Sequence, residues 1–307
     1  MLWAHPAGHS LSPVLHDAAF AALGVDATYE AWDVPPEALA DAVARLRDDA
    51  FLGANVSVPH KRAVQAHLDG VRPRAAAMDA VNLVVKEGGR LVGDNVDAVG
   101  LTRSLEEAGV DLNGRPLVLF GAGGAARAAA WAALEAGATS LAIHNRSAGP
   151  ATTLAHDVAD AFPGRDVVVR TGGAPDAAPD AAATDPAAVW GEADAAEGAA
   201  AAPLVVQATS LGMARGGAAD PRTPVPAAAW VALAARHPDA VAVDLVYRPR
   251  RTPFLRDAAA AGLTTVDGVG MLLHQGAASF EAWTHATAPL DVMRAALEAA
   301  LAGEAAP

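Results

Sequence analysis

The 307-residue chain contains no cysteine, which excludes disulfides, thiolate nucleophiles and cysteine-ligated metal sites. It also lacks any surplus of positive charge: 22 Lys and Arg stand against 35 Asp and Glu, a formal net charge of -13. Such a surface repels nucleic acid and anionic membranes, so neither is expected as a partner. A local Lys/Arg cluster can still hold an anionic small molecule. No uninterrupted apolar run is long enough to span a bilayer. The opening Met1-Leu2-Trp3-Ala4-His5-Pro6 lacks the basic region and apolar stretch of a signal peptide. The ten histidines are scattered without paired ligand spacing, so no metal is expected. There is no internal repeat of the solenoid type. A cytoplasmic enzyme is the default expectation.

What is present is an alternation of strand and helix. The composition is 52 % hydrophobic and 19 % charged, and the length suits two domains. Much of the apolar fraction is alanine, so the core has less bulk than the percentage suggests. Residues 10–24 read as a helix capped by Ser10 or Ser12, with Pro13 in its first turn and Gly24 at its end. A helix over 36–49, a strand at Ala54–Val58, a helix from Lys61 to Leu68 and a strand at Val81–Val85 follow, the last ending in the turn signal Glu87-Gly88-Gly89. This predicts an α/β unit with a mostly parallel sheet. After a helix at Leu101–Ala108, strands at Leu117–Phe120, Ser140–His144, Val167–Arg170, Leu204–Ala208 and Ala240–Val246 alternate with helical lengths. That is the pattern of a Rossmann-type doubly wound sheet. Residues 171–203 are almost entirely Ala, Pro, Asp, Gly and Glu. They read as a surface excursion with one helical turn near Val189-Trp190. Residues 270–302 read as two helical segments separated near Pro289.

The run Gly121-Ala122-Gly123-Gly124-Ala125-Ala126 fits the G-x-G-x-x-G/A turn between a strand and a helix. Its glycines permit a tight turn and close approach to a pyrophosphate, and the helix N-terminus directs N–H groups at the phosphates. The bland alternative is an alanine-rich helix behind a glycine turn. At the end of the next strand stands His144-Asn145-Arg146-Ser147. An NAD site usually places a carboxylate there for the ribose 2′-hydroxyl. A guanidinium instead suits a 2′-phosphate, so NADP is favoured over NAD.

Two runs precede the turn: Asn55-Val56-Ser57-Val58-Pro59-His60-Lys61 and Gly93-Asp94-Asn95-Val96-Asp97-Ala98-Val99-Gly100. Hydride addition to a ketone develops negative charge on oxygen, which needs a proton. Lys61 can hydrogen-bond that oxygen and supply the proton, and Asp97 can fix the ammonium's position. On the residues alone, Lys61 is equally a solvated helix-start residue and Asp97 a helix N-cap.

At these residues the chain resembles the shikimate dehydrogenase family along nearly its full length. The matching runs include His9-Ser10-Leu11-Ser12-Pro13, the two runs above, Ala80-Val81-Asn82 and Asn145-Arg146-Ser147. They continue with Ala208-Thr209-Ser210-Leu211-Gly212-Met213, Asp244-Leu245-Val246-Tyr247, Thr252-Pro253-Phe254-Leu255, and Gly268-Val269-Gly270-Met271 with Gln275. The resemblance implies reversible NADPH-dependent reduction of 3-dehydroshikimate to shikimate, a step of aromatic amino-acid biosynthesis. It implies a two-domain α/β fold: an N-terminal substrate-binding and catalytic domain at 1–100, completed by C-terminal helices at 270–307, and an NADP-binding domain at 101–269. Lys61 and Asp97 become the catalytic pair. Ser10, Ser12, Ser57, Asn82, Tyr247 and Gln275 match positions that bind shikimate, a polyhydroxylated ring carboxylate. Ser10 and Ser12 could instead serve only as caps. Gly121, Ala122, Gly123, Gly124, Ala125, Asn145, Arg146, Ser147, Thr209, Met213, Gly268, Gly270 and Met271 fall at cofactor positions. A small-molecule substrate and a monomer or homodimer are expected. The rivals are a quinate/shikimate dehydrogenase using NAD and a non-catalytic nucleotide-binding regulator of the same fold.

Four departures stand out. Leu2-Trp3-Ala4 is short beside the family's fuller first strand, so the start reads as clipped or mis-assigned. Ser57 stands where threonine is common, and Gln207 replaces a common asparagine. Pro150 stands where a further Lys or Arg often serves the 2′-phosphate.

Overall fold

The structure, a computed structural model, describes residues 1–8, 10–171, 201–215 and 218–304. By contact the chain divides into two units, Met1–Arg103 with Gly270–Pro307, and Ser104–Val269. Most of the expected excursion at 171–203, including Val189-Trp190, lies outside the described residues.

The first unit begins with β1 (Leu2–Ala4), α1 (Ser12–Leu23), β2 (Ala31–Asp33), α2 (Leu39–Arg45) and β3 (Gly53–Val56). It continues through β4 (Gly70–Val71), α3 (Pro73–Ala77), β5 (Leu83–Glu87), β6 (Arg90–Asp94) and α4 (Asp97–Glu107). Its six-stranded sheet has the order β2-β1-β3-β5-β6-β4. Short as it is, β1 pairs in parallel with both β2 and β3. Three of its five pairings are parallel, as expected, and the exceptions are those of β5, which runs antiparallel to β3 and to β6. The pairing of β5 with β6 follows from the turn at Gly88-Gly89, both with positive φ (56° and 78°). Two residues of that conformation make a tight hairpin and force the next strand back along the first. Trp3, Leu39, Leu46, Val56, Val84 and Leu91 build the core on one face of the sheet.

Two local expectations fail here for identifiable reasons. Neither Ser10 nor Ser12 caps α1: the N-cap residue is Leu11, with no side-chain cap bond. The serines are occupied with each other, since Ser10 Oγ donates to Ser12 Oγ at 3.1 Å and accepts from the Ser12 N–H at 3.2 Å. At the other end Gly24 does close the helix in the left-handed region, at φ 63°. The helix expected from Lys61 to Leu68 is a 3-10 turn at Ala63–His67. An α-helix would need the Lys61 carbonyl, which instead accepts from the Val81 N–H at 2.8 Å, while Gln65 N bonds one residue nearer, to Arg62 O. Similarly, 36–49 is a 3-10 turn at Pro36–Ala38 running into α2.

The second unit holds β7 (Leu117–Phe120), α5 (Gly124–Glu135), β8 (Ser140–Asn145), α6 (Ala148–Ala161), β9 (Asp166–Thr171) and β10 (Leu204–Gln207). The short pair β11 (Ala214–Arg215) and β12 (Ala218–Ala219) follows, then α7 (Ala227–Arg236), β13 (Val241–Asp244), α8 (Pro253–Ala260) and β14 (Thr264–Val266). The main sheet runs β14-β13-β10-β7-β8-β9, with every pairing parallel. The chain winds one way from β7 to β9 and the other way from β10 to β14. The switch point therefore falls between β7 and β10, where such sheets bind ligands. The alanines of α5 are buried almost throughout, so this helix lies close on the sheet. Phe120, Trp230 and Phe254 fill another part of the unit's core.

The last helices, α9 (Val269–Thr284) and α10 (Leu290–Glu304), belong to the first unit from Gly270 onward. Their seat is cut by glycines. A Cβ at Gly53 would lie 2.1 Å from Trp283 Nε1, and one at Gly276 would lie 2.6 Å from Leu15 Cδ1. Trp283 Nε1 also donates to Val84 O at 3.1 Å. α10 packs along α1.

Candidate active site

The loop after β3 is held from several sides. Ser57 N donates to Trp3 O and His60 N to Ser57 O, both at 2.8 Å. The His60 ring is 1 % exposed, and its Nε2 donates to Val34 O at 2.6 Å. The Val81 N–H then fixes the Lys61 carbonyl. From this anchored backbone Lys61 Nζ donates to Asp97 Oδ2. The two side chains are 13 % and 9 % exposed, so the pair is largely shielded yet not sealed from a ligand. This removes the solvated reading of Lys61. His60 was not singled out from the sequence; only its place beside Lys61 marked it.

Asp97 is the first residue of α4. Asn95 supports it, accepting the Asp97 N–H on Oδ1 at 3.0 Å and donating from Nδ2 to Ala80 O at 2.8 Å. Asn82 Oδ1 accepts the Val96 N–H at 2.7 Å, which leaves its amide NH2 for a ligand. Gly100 lets α4 touch α9: a Cβ there would sit 2.8 Å from Gln275 N. Gln275 Nε2 donates within its own helix to Leu272 O at 3.1 Å. Ser10, Ser12, Ser57, Lys61, Asn82, Asp97 and Gln275 thus all belong to the first unit. Tyr247 belongs to the second, in the stretch between β13 and α8.

In the second unit, β7 delivers the chain into Gly121 at φ 115°, where a Cβ would lie 3.0 Å from Ala208 O. Only glycine suits that turn. Gly123 is exposed with nothing near its Cβ position, and α5 starts at the next residue. Open backbone at the start of a 12-residue helix fits a pyrophosphate. At the end of β8, Asn145 Nδ2 donates to Ser147 O at 2.8 Å and shapes the turn that carries the exposed Arg146. The residues therefore fit a dinucleotide bearing a 2′-phosphate. Gln207, fully buried, donates from Nε2 to Leu211 O at 2.9 Å and accepts the Thr209 N–H. The longer amide clamps both ends of the turn leading to Met213. Gly268 approaches Leu245, with a Cβ position 2.5 Å from its carbonyl oxygen. Of the expected cofactor residues, Gly270 and Met271 fall in the first unit and the others in the second.

Asp244, which the sequence marks only as part of a run, staples the segment that carries Tyr247. It accepts from Val246 N at 2.9 Å and from Thr252 Oγ1 at 2.6 Å. Burial pushes its carboxyl up from 3.8 to about 7, against the opposing pull of those two donors. The folded state therefore holds a proton that the unfolded chain releases above pH 4, and this contribution to stability shrinks as pH rises toward 7. Asp244→Asn should gain on the wild type by about 2 kcal/mol between pH 5 and pH 8, measured by denaturant unfolding at each pH. A difference that does not change with pH would contradict the assignment.

Among the described residues, no group of three or more His, Asp or Glu could hold a metal ion, and no helix is long and apolar enough to cross a membrane. Comparison with known proteins gives two family matches. Residues 2–84 match the shikimate dehydrogenase substrate binding domain, and residues 268–298 match the shikimate 5'-dehydrogenase C-terminal domain. A shikimate dehydrogenase (NADP(+)) of Symbiobacterium thermophilum is 45 % identical over 300 residues, covering 98 % of this chain and 93 % of its own. The Thermus thermophilus shikimate 5-dehydrogenase, solved in complex with NADP(H) and shikimate, is 36 % identical with a TM-score of 0.77 and covers 98 % of both chains. The ligand-free 5-ketofructose reductase of a Gluconobacter species is 32 % identical, also with a TM-score of 0.77, over 97 % of both chains.

Proposed function

The chain belongs to the shikimate dehydrogenase family, and we propose that it interconverts 3-dehydroshikimate and shikimate with NADP(H) through Lys61 and Asp97. The observation that carries the reading is the shielded Lys61–Asp97 ion pair, in the unit that also presents the Asn82 amide NH2. Bound NADPH supplies the hydride. As charge develops on the ketone oxygen, Lys61 Nζ hydrogen-bonds it and gives up a proton; in the reverse direction Lys61 takes the proton of the hydroxyl. Asp97 holds Nζ in place and balances its charge. Ser10 and Ser12 bind the ring carboxylate. Ser57, the Asn82 amide and Gln275 bind the remainder of the polyhydroxylated ring. Arg146 pairs with the 2′-phosphate, and Gly121 to Ala125 cradle the pyrophosphate. The same reading places the protein among cytoplasmic biosynthetic enzymes, as a monomer or homodimer.

The 5-ketofructose reductase likeness keeps a neutral polyhydroxy ketone as a competing substrate class. Initial rates with shikimate, quinate and 5-ketofructose, each with both nicotinamide cofactors, separate the readings. Shikimate with NADP should lead in kcat/KM by ~10-fold or more, the size of discrimination a few polar contacts supply. Preference for 5-ketofructose, or for quinate with NAD, would overturn the choice.

A further inference from the structure

The two carboxylate-binding serines are the outer end of a buried hydrogen-bond chain. Ser10 Oγ donates to Ser12 Oγ at 3.1 Å. The Ser12 hydroxyl interacts with the phenol of Tyr29. Tyr29 is 4 % exposed, and its hydroxyl donates to Asn55 Oδ1 at 2.7 Å. Asn55 Nδ2 donates to Asn82 O at 3.2 Å and to Ser279 Oγ at 2.8 Å. Ser279 Oγ in turn donates to Gln275 O at 3.0 Å. The bonds from Tyr29 therefore link β3, the Asn82 stretch and α9, with the Ser12 hydroxyl beside the phenol. The ring itself is clamped: the His16 imidazole stacks on it with centroids 4.3 Å apart and planes 5° apart, and Trp283 lies 6.1 Å away.

We propose that Tyr29 is a positioning residue for substrate recognition, setting the Ser12 hydroxyl and the Asn55 amide so that the ring carboxylate and ring hydroxyls meet prearranged partners. This rests on the reading of Ser10 and Ser12 as carboxylate ligands. A serine hydroxyl has one hydrogen, which Ser12 gives either to Tyr29 or to an incoming anion. The phenol's hydrogen goes to Asn55 Oδ1, so its oxygen serves Ser12 as an acceptor that aims the serine hydroxyl before the anion arrives. An apolar ring cannot. Without the phenol oxygen, Asn55 Oδ1 also loses its donor in a buried site, and its amide is freed to flip. The contacts to Asn82 O and Ser279 then go with it.

Tyr29→Phe keeps the ring and removes only the hydroxyl. The KM for shikimate should rise ~5- to 15-fold, the size expected for one buried hydrogen bond. The KM for NADP and kcat should stay within about twofold. Two companion variants keep the result interpretable. Ser12→Ala tests the underlying carboxylate reading: if it leaves the shikimate KM unchanged, that reading fails. Phe280→Leu loosens the neighbouring core without touching the chain, and should lower Tm with the shikimate KM unmoved. A raised KM for Ser12→Ala with none for Tyr29→Phe overturns the role of Tyr29. So does an equal rise in Phe280→Leu at matched Tm, since that would reflect general loosening.

Discussion

Lys61→Ala should lower kcat by about 10²–10⁴, the range for loss of a positioned general acid–base. The size follows from how few polar groups the site offers as substitutes. The Lys61 Nζ hydrogen bond goes to Asp97 Oδ2, and both side chains are largely withdrawn from water. Bulk water is therefore a poor replacement proton source. The backbone of the loop is fixed independently, by Val81, His60 and Ser57, so truncating the side chain leaves the loop in place. The variant does strand a buried carboxylate at Asp97, which costs stability. Thermal unfolding of the same sample, followed by rates below its Tm, separates a folding loss from a chemical one. A folded variant with unchanged kcat would remove Lys61 from the mechanism.

Arg146→Ala should raise the KM for NADP by ~10- to 100-fold, as expected for a charge-assisted hydrogen bond of ~1.5–3 kcal/mol. The KM for NAD should stay within about twofold, because NAD offers no 2′-phosphate to lose. Pro150 occupies the position where a further cation could share the load, so the effect concentrates on one residue. Arg146 is exposed, and salt will erode part of the difference. The comparison therefore belongs at low ionic strength. Equal changes for both cofactors would refute the phosphate assignment.

The two halves of the fold were unequally legible. The parallel sheet of the second unit followed from apolar runs separated by helical lengths, because both faces of such strands are buried. Its outermost strand, β14, was not foreseen; Thr264 and Thr265 are exposed and leave little hydrophobic signal. In the first unit the signal Glu87-Gly88-Gly89 was visible, but its consequence, a returning β6, depended on both glycines adopting positive φ. The lost helix after Lys61 depended on a tertiary bond to Val81, which no local propensity encodes.

The residues proposed as reactive stand out in the sequence because the proposed chemistry needs charged or hydroxyl groups at marked places. Their supports do not. Tyr29, His60 and Asn95 act through hydrogen bonds to partners that only the folded chain brings near. Asp244 reads as a routine strand-end acid until its burial is seen. Gln207, noted as a departure, proves to be a clamp on the following turn.

The central claim is that the Lys61–Asp97 pair meets the reacting oxygen of a hydroxylated ring acid. A crystal structure of the protein with shikimate tests it most directly. The oxidisable hydroxyl should lie within about 3 Å of Lys61 Nζ, with the ring carboxylate on Ser10 and Ser12. Shikimate bound with its carboxylate on Lys61, or away from the pair altogether, would contradict it.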